Sequence, residues 1–380
     1  MLSPQYRPIV GGYERAAERL SATLVARGHS VTVITEQRDK IWPAYEVICS
    51  VEVLRLWCLY RPKLHTLTSL CSFALFLLLR GRKFDVWHVH QYGKHAVIAI
   101  IIGKLISRPV VLKLTSSAAQ GIASVSGTDI FKNLKKNILK RVTAVVALTR
   151  EIEREAYAFG IPLERIYALG NGVDTTIFHH HDFSEKSIFK KMLGVGLHPI
   201  VIFVGRLSIE KNPDGLLKVW TKAVTLRSAG WKLVLVGDGP MRAMLEAEVS
   251  EGVLEGSVLF AGQQYNIEEW LAIGDIYVIS SHNEGLSNTL LEAMASGLPV
   301  VATRVSGITE VVDEPGAGLV VDVGDMNAFA DALVRLAGDS LLREKMGTIG
   351  RDVIGQRYAI ESVAARHEEL YQNLLAKEAK

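Results

Sequence analysis

Two cations, Arg206 and Lys211, follow an apolar run in a pattern that suits an anion. Arg206 comes directly after the run "PIVIFVG" at residues 199–205. Lys211 precedes Asn212 and Pro213, which are typical of a helix start. A guanidinium, an ammonium and the backbone N–H groups of a helix start all favour a negatively charged ligand. The pattern predicts a phosphate site, and a solvated charged loop is the competing interpretation.

Two acids, Glu284 and Glu292, lie on either side of a second predicted helix start. The stretch "HNEGLSNTLLEAMASGLPVVAT" spans residues 282–303, and Ser287 is a suitable cap for the helix. Backbone N–H groups of residues 286–289 can then face a diphosphate. The two carboxylates would accept hydrogen bonds from sugar hydroxyls at either end of that diphosphate. An amphipathic helix with two solvated glutamates is the alternative.

A glycine-rich turn follows the run "WKLVLVG" and superficially imitates a dinucleotide-binding fingerprint. Gly237 and Gly239 stand at the turn, but Arg242 replaces the third glycine. The next predicted strand ends in Gln263, where an acidic ribose ligand would be expected. The pattern therefore disfavours a nicotinamide dehydrogenase and leaves open a turn that lets the backbone approach a nucleotide.

The elements that must position these residues alternate between strand and helix. Runs such as "VTVIT", "DVWHVH" and "VTAVVAL" alternate with amphipathic stretches, and the rhythm restarts at Pro199. This predicts an α/β protein with two doubly wound parallel sheets that face each other across a cleft. We expect an N-terminal domain over residues 1–178, a connection over 179–198, a C-terminal domain over 199–355 and a final helix over 356–380. That helix could pack against either domain.

The first strand is unusually short in this scheme. Only Met1 to Ser3 are left for it before the first glycine turn. Either the strand is a stub or the sequence begins inside it.

Composition favours small-molecule ligands and a reducing compartment. The chain has 380 residues with 43 basic and 40 acidic side chains, a balance that does not indicate a nucleic-acid partner. Its three cysteines, Cys49, Cys58 and Cys71, form neither a metal-type pair nor an even disulfide set. The N-terminus lacks the pattern of a secretory signal. We therefore expect a cytoplasmic protein.

One apolar window raises the question of membrane contact. The stretch "LTSLCSFALFLLL" at residues 67–79 is flanked by arginines and lysines and is shorter than the ~20 residues that span a bilayer. We first interpret it as a buried helix. The alternative is a helix in the interface of the inner face of a membrane, because basic flanks suit anionic lipid.

Several of these motifs, in this order, resemble those of a known family. "VGRLSIEKN", "VGDGP", "NEGLSNTLLEAMASGLPVVAT" and "GITEVV" look like the nucleotide-sugar domain of retaining glycosyltransferases of family four, which have the GT-B fold. The segment "SPQYRPIVGGYERAAERLSATLVARGHSVTVIT" and "NGVDTTIF" also resemble that family. The resemblance covers nearly the full length and is most specific in the C-terminal half.

The resemblance implies a hexosyltransferase that uses an NDP-sugar, UDP- or GDP-linked, with retention of configuration and without a metal cofactor. It assigns Arg206 and Lys211 to the diphosphate, Glu292 to the ribose and Glu284 to the transferred sugar. Gly12, in the first glycine turn, would approach the same phosphates. The acceptor would be a saccharide, a lipid-linked sugar or a small molecule. The complete set of predicted donor-binding residues is Gly11, Gly12, Arg206, Lys211, Gly237, Gly239, Gln263, Glu284, Gly285, Leu286, Ser287, Asn288, Thr289 and Glu292.

The sequence departs from the family at one position. Many members carry a histidine where Thr115 stands here, which puts a histidine-assisted step in doubt. His90, at the end of "DVWHVH", is a remaining imidazole that could face the cleft, and we include it with Glu284, Arg206 and Lys211 as a candidate catalytic residue. A structural role is the alternative for a lone histidine. The run of His179, His180 and His181 lacks the spacing of a metal site.

Two functions compete with a glycosyltransferase. One is a catalytically silent subunit that binds sugar nucleotides, and the other is a GT-B sugar-nucleotide epimerase or a phosphorylase. The acceptor cannot be identified from the sequence, because acceptor-binding loops carry no general code.

Overall fold

The computed structural model describes residues 1–9, 11–115, 129–250 and 252–378. The chain divides into two compact units, of which the first comprises Met1–Gly172 and Ile360–Lys380 and the second Val173–Ala359. Both units are α/β structures whose sheets are parallel, except for one antiparallel strand pair in the first unit.

In its described residues, the first unit contains seven strands and six helices. Its strands are β1 (Thr32–Glu36), β2 (Tyr45–Ile48), β3 (Val51–Leu56), β4 (Trp87–His90), β5 (Val110–Leu114), β6 (Ala144–Ala147) and β7 (Ile166–Ala168). Its helices are α1 (Gly12–Ala26), α2 (Pro62–Arg80), α3 (Lys94–Leu105), α4 (Asp129–Leu139), α5 (Arg150–Phe159) and α14 (Ile360–Glu378). Three strands pair in the order β1-β3-β2 and four in the order β4-β5-β6-β7.

The short N-terminal segment joins these two sets of strands. Leu2 forms parallel bridges with Ile34 of β1 and Val89 of β4. Its N–H donates to the carbonyl of His88 at 2.7 Å, and its own carbonyl accepts from the N–H of His90 at 2.9 Å. In the described segment Leu2 is the bridged residue, and backbone hydrogen bonds connect residues 1–3 to both β1 and β4.

The last helix, α14, packs within the first unit. Leu370 and Leu374 are buried against Val111, Ala144 and Val146 of β5 and β6. Ala364 packs against Leu20 and Leu24 of α1. These contacts explain why residues 360–378 group with the N-terminal part of the chain.

The part of the second unit that the structure describes contains the other six strands and eight helices. Its strands are β8 (Ile200–Val204), β9 (Lys232–Val236), β10 (Val258–Gly262), β11 (Ile276–Ile279), β12 (Val300–Thr303) and β13 (Gly318–Val321). Its helices are α6 (Phe183–Met192), α7 (Pro213–Lys222), α8 (Val224–Ser228), α9 (Arg242–Ser250), α10 (Ile267–Ala272), α11 (Asn288–Ala295), α12 (Met326–Gly338) and α13 (Ser340–Arg357).

The six strands form one parallel sheet in the order β10-β9-β8-β11-β12-β13. Strands β8, β11 and β12 are buried along their whole length, which explains their uninterrupted apolar sequences. Counting from β8, the order is 3-2-1-4-5-6, the doubly wound arrangement of a dinucleotide-binding sheet. The direction of winding reverses between β8 and β11.

The expected connection over residues 179–198 is wrong in position. The division falls between Gly172 and Val173, and α6 lies inside the second unit. Asp182 and Glu185 form a capping box at its start, and Lys186 donates to the carbonyl of Gly274 at 2.7 Å. The turn residues of this stretch hid a short helix because its sequence has no sustained apolar period.

The interpretation of residues 67–79 as a buried helix is also wrong. Helix α2 is longer, with 19 residues, and buries only one side. Ser69, Phe73 and Leu77 are buried, whereas Leu75 and Leu79 are 57% and 74% exposed.

Candidate functional site

The predicted donor residues of the second unit lie where the winding of its sheet reverses. Arg206 follows β8, and the segment from Ser281 to Ser287 follows β11, the strand beside β8. In doubly wound sheets ligands bind beyond the carboxyl ends of the strands at such a switch point. Sequence reasoning placed these residues after strands, and the strand order now brings them to one place.

Lys211 and Glu284 form an ion pair across this switch point. The Lys211 ammonium donates to Oε1 of Glu284, and the Ser281 hydroxyl donates to the same oxygen at 2.9 Å. The Lys211 and Glu284 side chains are 29% and 10% exposed. The pair joins residues that are 73 positions apart in sequence. An ammonium and a carboxylate are thus held side by side, and both remain partly exposed to solvent.

Asn212 fixes the segment that carries Lys211. Asn212 adopts a left-handed conformation with a φ of 52°, and its Oδ1 caps α7 by accepting from the N–H of Gly215 at 3.2 Å. Its amide Nδ2 donates to the carbonyl of Ser280 at 3.1 Å. In return the Ser280 hydroxyl donates to the carbonyl of Lys211 at 2.9 Å. The loop after β8 is therefore tied to the end of β11.

Ser287 and Thr289 set the start of α11. Ser287 is the N-cap, and its hydroxyl accepts from the N–H of Leu290 at 3.4 Å. The Thr289 hydroxyl donates to the carbonyl of Val204 at 3.2 Å and accepts from Tyr277 at 2.9 Å. Burial raises the pKa of Tyr277, so this phenol remains a donor. The N-terminus of α11, whose dipole favours an anion, is thereby fixed at the end of β8.

These contacts give Thr289 a positioning role through its side chain. A diphosphate would meet its backbone N–H rather than its hydroxyl, because the hydroxyl is engaged with Val204 and Tyr277. Gly285 and Leu286 occupy the turn before the cap, and Asn288 is the first residue of α11.

Glu292 differs from expectation in its exposure. We expected this carboxylate at an accessible position one turn into α11, but the side chain is fully buried. Residues 290–296 are all buried, because α11 packs on the sheet and on α13. A ribose hydroxyl would reach Glu292 only after neighbouring side chains shift, and its role there stays a prediction.

The glycines of the turn after β9 serve the protein's own backbone. A Cβ atom at Gly237 would overlap the carbonyl oxygen of Gly205, and one at Gly239 would overlap that of Leu207. The N–H of Leu207 donates to the carbonyl of Asp238 at 3.0 Å. The two loops are in direct contact, so the turn supports the segment that carries Arg206.

Arg206 and Gln263 are both exposed side chains at strand ends. Arg206 follows the central strand β8, in the same loop as Lys211 of the ion pair. Gln263 follows β10, an edge strand two positions from β8. The structure thus groups Arg206 with the switch point and leaves Gln263 at the outer end of the sheet.

The remaining predicted residues belong to the first unit. Gly11 is the N-cap of α1, and Gly12 is its first residue. Glu14, in the first turn of α1, is buried, and this burial raises its pKa. Thr115 follows β5 and is partly buried.

The expectation that His90 is an accessible imidazole is wrong, and its catalytic role stays a prediction. His90 is 2% exposed and its ring stacks on that of His88 with centroids 4.5 Å apart. His88 also lies 5.5 Å from the ring of His367 in α14. Burial, and next the nearby Lys113, lowers the pKa of His90 well below its usual value. The group is a neutral part of the core.

This histidine cluster predicts a loss of stability in mild acid. Burial lowers the pKa values of His88 and His90 and brings that of His367 to about 3. The unfolded chain takes up protons near pH 6.5 and the folded chain does not, so stability is lost as the pH falls below that value. We expect the free energy of unfolding, measured in urea between about pH 7 and pH 5, to change little near pH 7 and to fall below about pH 6.5 with a slope that approaches about 1.4 kcal/mol per pH unit for each histidine.

Two variants test this prediction. His367→Leu should reduce the slope of the free energy of unfolding against pH by the contribution of one histidine. His282→Gln, at an exposed position, should leave that slope unchanged. A free energy of unfolding that does not vary with pH over this range would contradict the assignment.

Among the described residues, no group of three or more His, Cys, Asp or Glu side chains is arranged to hold a metal ion. His181 instead contacts Glu185 at 3.4 Å, and its ring packs at 5.1 Å from Phe189.

Sequence reasoning missed three residues that build the site. Tyr277, Ser280 and Ser281 hold the end of β11. Asn212 was expected only at a helix start, and it also ties the β8 loop to Ser280.

Comparison with known structures supports the fold. The crystal structure of Anabaena HepE in complex with UDP aligns over 98% of both chains with a TM-score of 0.79 and 19% identity. WaaG, a glycosyltransferase involved in lipopolysaccharide biosynthesis, aligns over 97% of this chain and 98% of its own with a TM-score of 0.73 and 18% identity. The chain has the GT-B fold that the sequence predicted.

Two family models match the chain in sequence. The model for glycosyl transferases group 1 matches residues 198–339, and that for the glycosyl transferase 4-like domain matches residues 11–172. N-acetyl-alpha-D-glucosaminyl L-malate synthase of Bacillus anthracis is 27% identical over 97% of this chain and 95% of its own. A GDP-mannose-dependent monoacylated alpha-(1-6)-phosphatidylinositol monomannoside mannosyltransferase of Corynebacterium glutamicum is 26% identical over 98% and 97%. The chain belongs to glycosyltransferase family four and acts on nucleotide-sugar donors in glycoconjugate biosynthesis.

Proposed function

We propose that this glycosyltransferase transfers a hexose from a UDP- or GDP-linked donor to a hydroxyl acceptor with retention of configuration. The observation that carries the donor site is the meeting of Arg206, the Lys211–Glu284 pair and the start of α11 at the switch point between β8 and β11. Similar proteins with bound UDP and UDP-glucose, and a relative that uses GDP-mannose, support these two nucleotides.

Each group has one role in this proposal. Arg206, Lys211 and the first N–H groups of α11 bind the diphosphate. Glu284 accepts a hydrogen bond from a hydroxyl of the transferred sugar, and Ser281 holds its carboxylate in place. Glu292 binds the ribose once its surroundings open. The preorganised positive groups act where charge develops, which is the arrangement that lowers a transition-state barrier most.

The proposed reaction needs no separate base from the protein. The acceptor oxygen bonds to the anomeric carbon as the bond from that carbon to the diphosphate oxygen breaks. The acceptor's proton passes to the departing diphosphate, and attack and departure on the same face retain configuration. Negative charge grows on the diphosphate during this step, beside Lys211 and Arg206.

The acceptor belongs to the glycoconjugates. Similar proteins act in lipopolysaccharide core biosynthesis and on a phosphatidylinositol mannoside, according to their names. We propose a saccharide or a lipid-linked sugar as the acceptor class.

A donor panel tests the proposal. Incubation with UDP- and GDP-sugars should release the nucleoside diphosphate slowly in water and faster with an acceptor, and the product should keep the anomeric configuration. An altered donor sugar without release would indicate an epimerase. Tight binding without turnover of any donor would indicate a silent subunit.

We also expect transfer to persist in EDTA. Arg206, Lys211 and the helix N-terminus supply the positive charge that a divalent ion would otherwise provide. Initial rates should agree within about twofold with and without chelator. Activity that disappears with EDTA and returns with manganese would overturn this part of the proposal.

A further inference from the structure

Helix α2 presents an apolar stripe to solvent. Its members fall on one side of the helix at spacings of three and four residues: Leu64, Leu67, Cys71, Leu75, Leu78 and Leu79. All six are exposed, with fractions of 40% at Leu64 and 74% at Leu79. Along a helix this stripe is about 22 Å long. A water-soluble surface helix has the opposite pattern, with charged residues facing outward.

The other side of α2 is fixed to the first unit. Ser69, Phe73 and Leu77 are buried, and the Ser69 hydroxyl donates to Oε1 of Glu36 at 2.6 Å. The helix also packs on α3. The stripe therefore faces outward, and nothing among the described residues covers it.

Charge indicates the nature of that partner. The sequence from Arg61 to Phe84 contains no aspartate or glutamate. Exposed cations stand at both ends of the stripe: Arg61 before it, and Arg80, Arg82 and Lys83 after it. An apolar face with cations at its borders matches the interface of a bilayer that carries anionic lipid.

A basic groove continues from the C-terminal end of α2. Arg108 donates to the carbonyl of Arg82 at 2.8 Å and also lines an open groove of about 1050 Å³. The described residues that line the groove include one acid, Glu164, and six cations: Lys104, Arg108, Lys140, Arg141, Arg165 and Lys377. The groove offers sites for several lipid phosphates beside the stripe.

The contacts of α2 suit a helix that lies on a bilayer surface rather than one that crosses a bilayer. Among the described residues, Leu64–Lys83 is the one segment long and apolar enough to cross a bilayer, and 22% of it is buried. A spanning helix would need lipid or apolar protein around it, whereas one side of α2 carries the Ser69–Glu36 hydrogen bond and packs into the first unit.

We propose that the first unit binds the surface of an anionic bilayer, with the stripe of α2 inserted among the acyl chains and the basic groove on the headgroups. This binding does not depend on the transfer reaction. It places the enzyme at the surface where lipid-linked acceptors reside.

Vesicle sedimentation tests the proposal on the full chain without any sugar nucleotide. Wild-type protein should bind vesicles made from an equal mixture of phosphatidylglycerol and phosphatidylcholine. It should bind vesicles of phosphatidylcholine alone at least about tenfold more weakly. Leu75→Glu and Leu78→Glu should each weaken binding to the anionic vesicles by about tenfold. Leu341→Glu, the same change at a leucine of α13 that is 76% exposed, should have no effect.

Thermal unfolding midpoints that match the wild type will show that the variants are folded, as expected for exposed positions. Equal binding by all variants, or equal binding to neutral and anionic vesicles, would overturn the proposal. So would a wild-type dimer in light scattering that Leu75→Glu converts to a monomer, because a second copy of the chain would then cover the stripe.

Discussion

Replacing Lys211 by alanine is expected to lower kcat by about a hundredfold or more and to weaken donor binding by much less. Negative charge on the diphosphate grows as the sugar departs, so the ammonium contributes more in the transition state than in the ground state. Titration calorimetry with the donor, together with initial-rate kinetics, measures the two effects separately.

Two further variants show whether a loss of activity in Lys211→Ala comes from the positive charge at this position. Lys211→Arg keeps the charge and should retain more activity than Lys211→Ala. Lys218→Ala removes an exposed lysine of α7 that pairs with Asp214 at 3.5 Å, and it should leave kcat unchanged. Equal losses in affinity and kcat/KM, with kcat untouched, would mean that Lys211 only holds the donor.

Replacing Glu284 by glutamine should distinguish recognition of the sugar from recognition of the nucleotide. A carboxylate that accepts a hydrogen bond from a sugar hydroxyl stabilises it by about 1.5–3 kcal/mol, so kcat/KM should fall roughly tenfold to a hundredfold. Affinity for the nucleoside diphosphate alone should stay the same or rise, because Lys211 loses its ion-pair partner and becomes available to the phosphates. Calorimetry with UDP beside UDP-sugar measures this difference.

The control for this variant is Glu210→Gln, at an exposed acid of the same site whose carboxylate accepts from the Ser208 hydroxyl at 2.8 Å. It should alter neither affinity. If Glu284→Gln weakened UDP and UDP-sugar equally, Glu284 would serve to position Lys211 and would have no contact with the sugar.

The sequence could predict a candidate site because the signals for it are local. A strand followed by Arg206, and a cap at Ser287 before an apolar helix, are patterns that neighbouring residues define. The doubly wound fold was predictable for the same reason, since β8, β11 and β12 are uninterrupted apolar runs.

The failures concern what a side chain meets at long range. The burial of Glu292 depends on α13, and that of His90 depends on His88 and on α14. Gly237 matches a nucleotide-binding turn in sequence. In the structure, however, the carbonyl oxygen of Gly205 occupies the space that a Cβ atom at Gly237 would need. A single sequence carries no direct signal for these pairings.

Exposure of α2 could not be read from its composition either. A leucine-rich helix is normally buried, and nothing local shows that Phe73 faces the protein while Leu75 faces solvent. The packing of α2 against α3 and β3 decides which side remains outside.

The central claim is that the donor's diphosphate binds where β8 and β11 meet in the second unit. Hydrogen–deuterium exchange with and without saturating nucleoside diphosphate tests it most directly, with calorimetry to establish saturation. The account predicts slower exchange in residues 205–212 and 284–292 and no change in α13. Saturated binding that leaves both segments unprotected, with protection elsewhere in the chain, would contradict it.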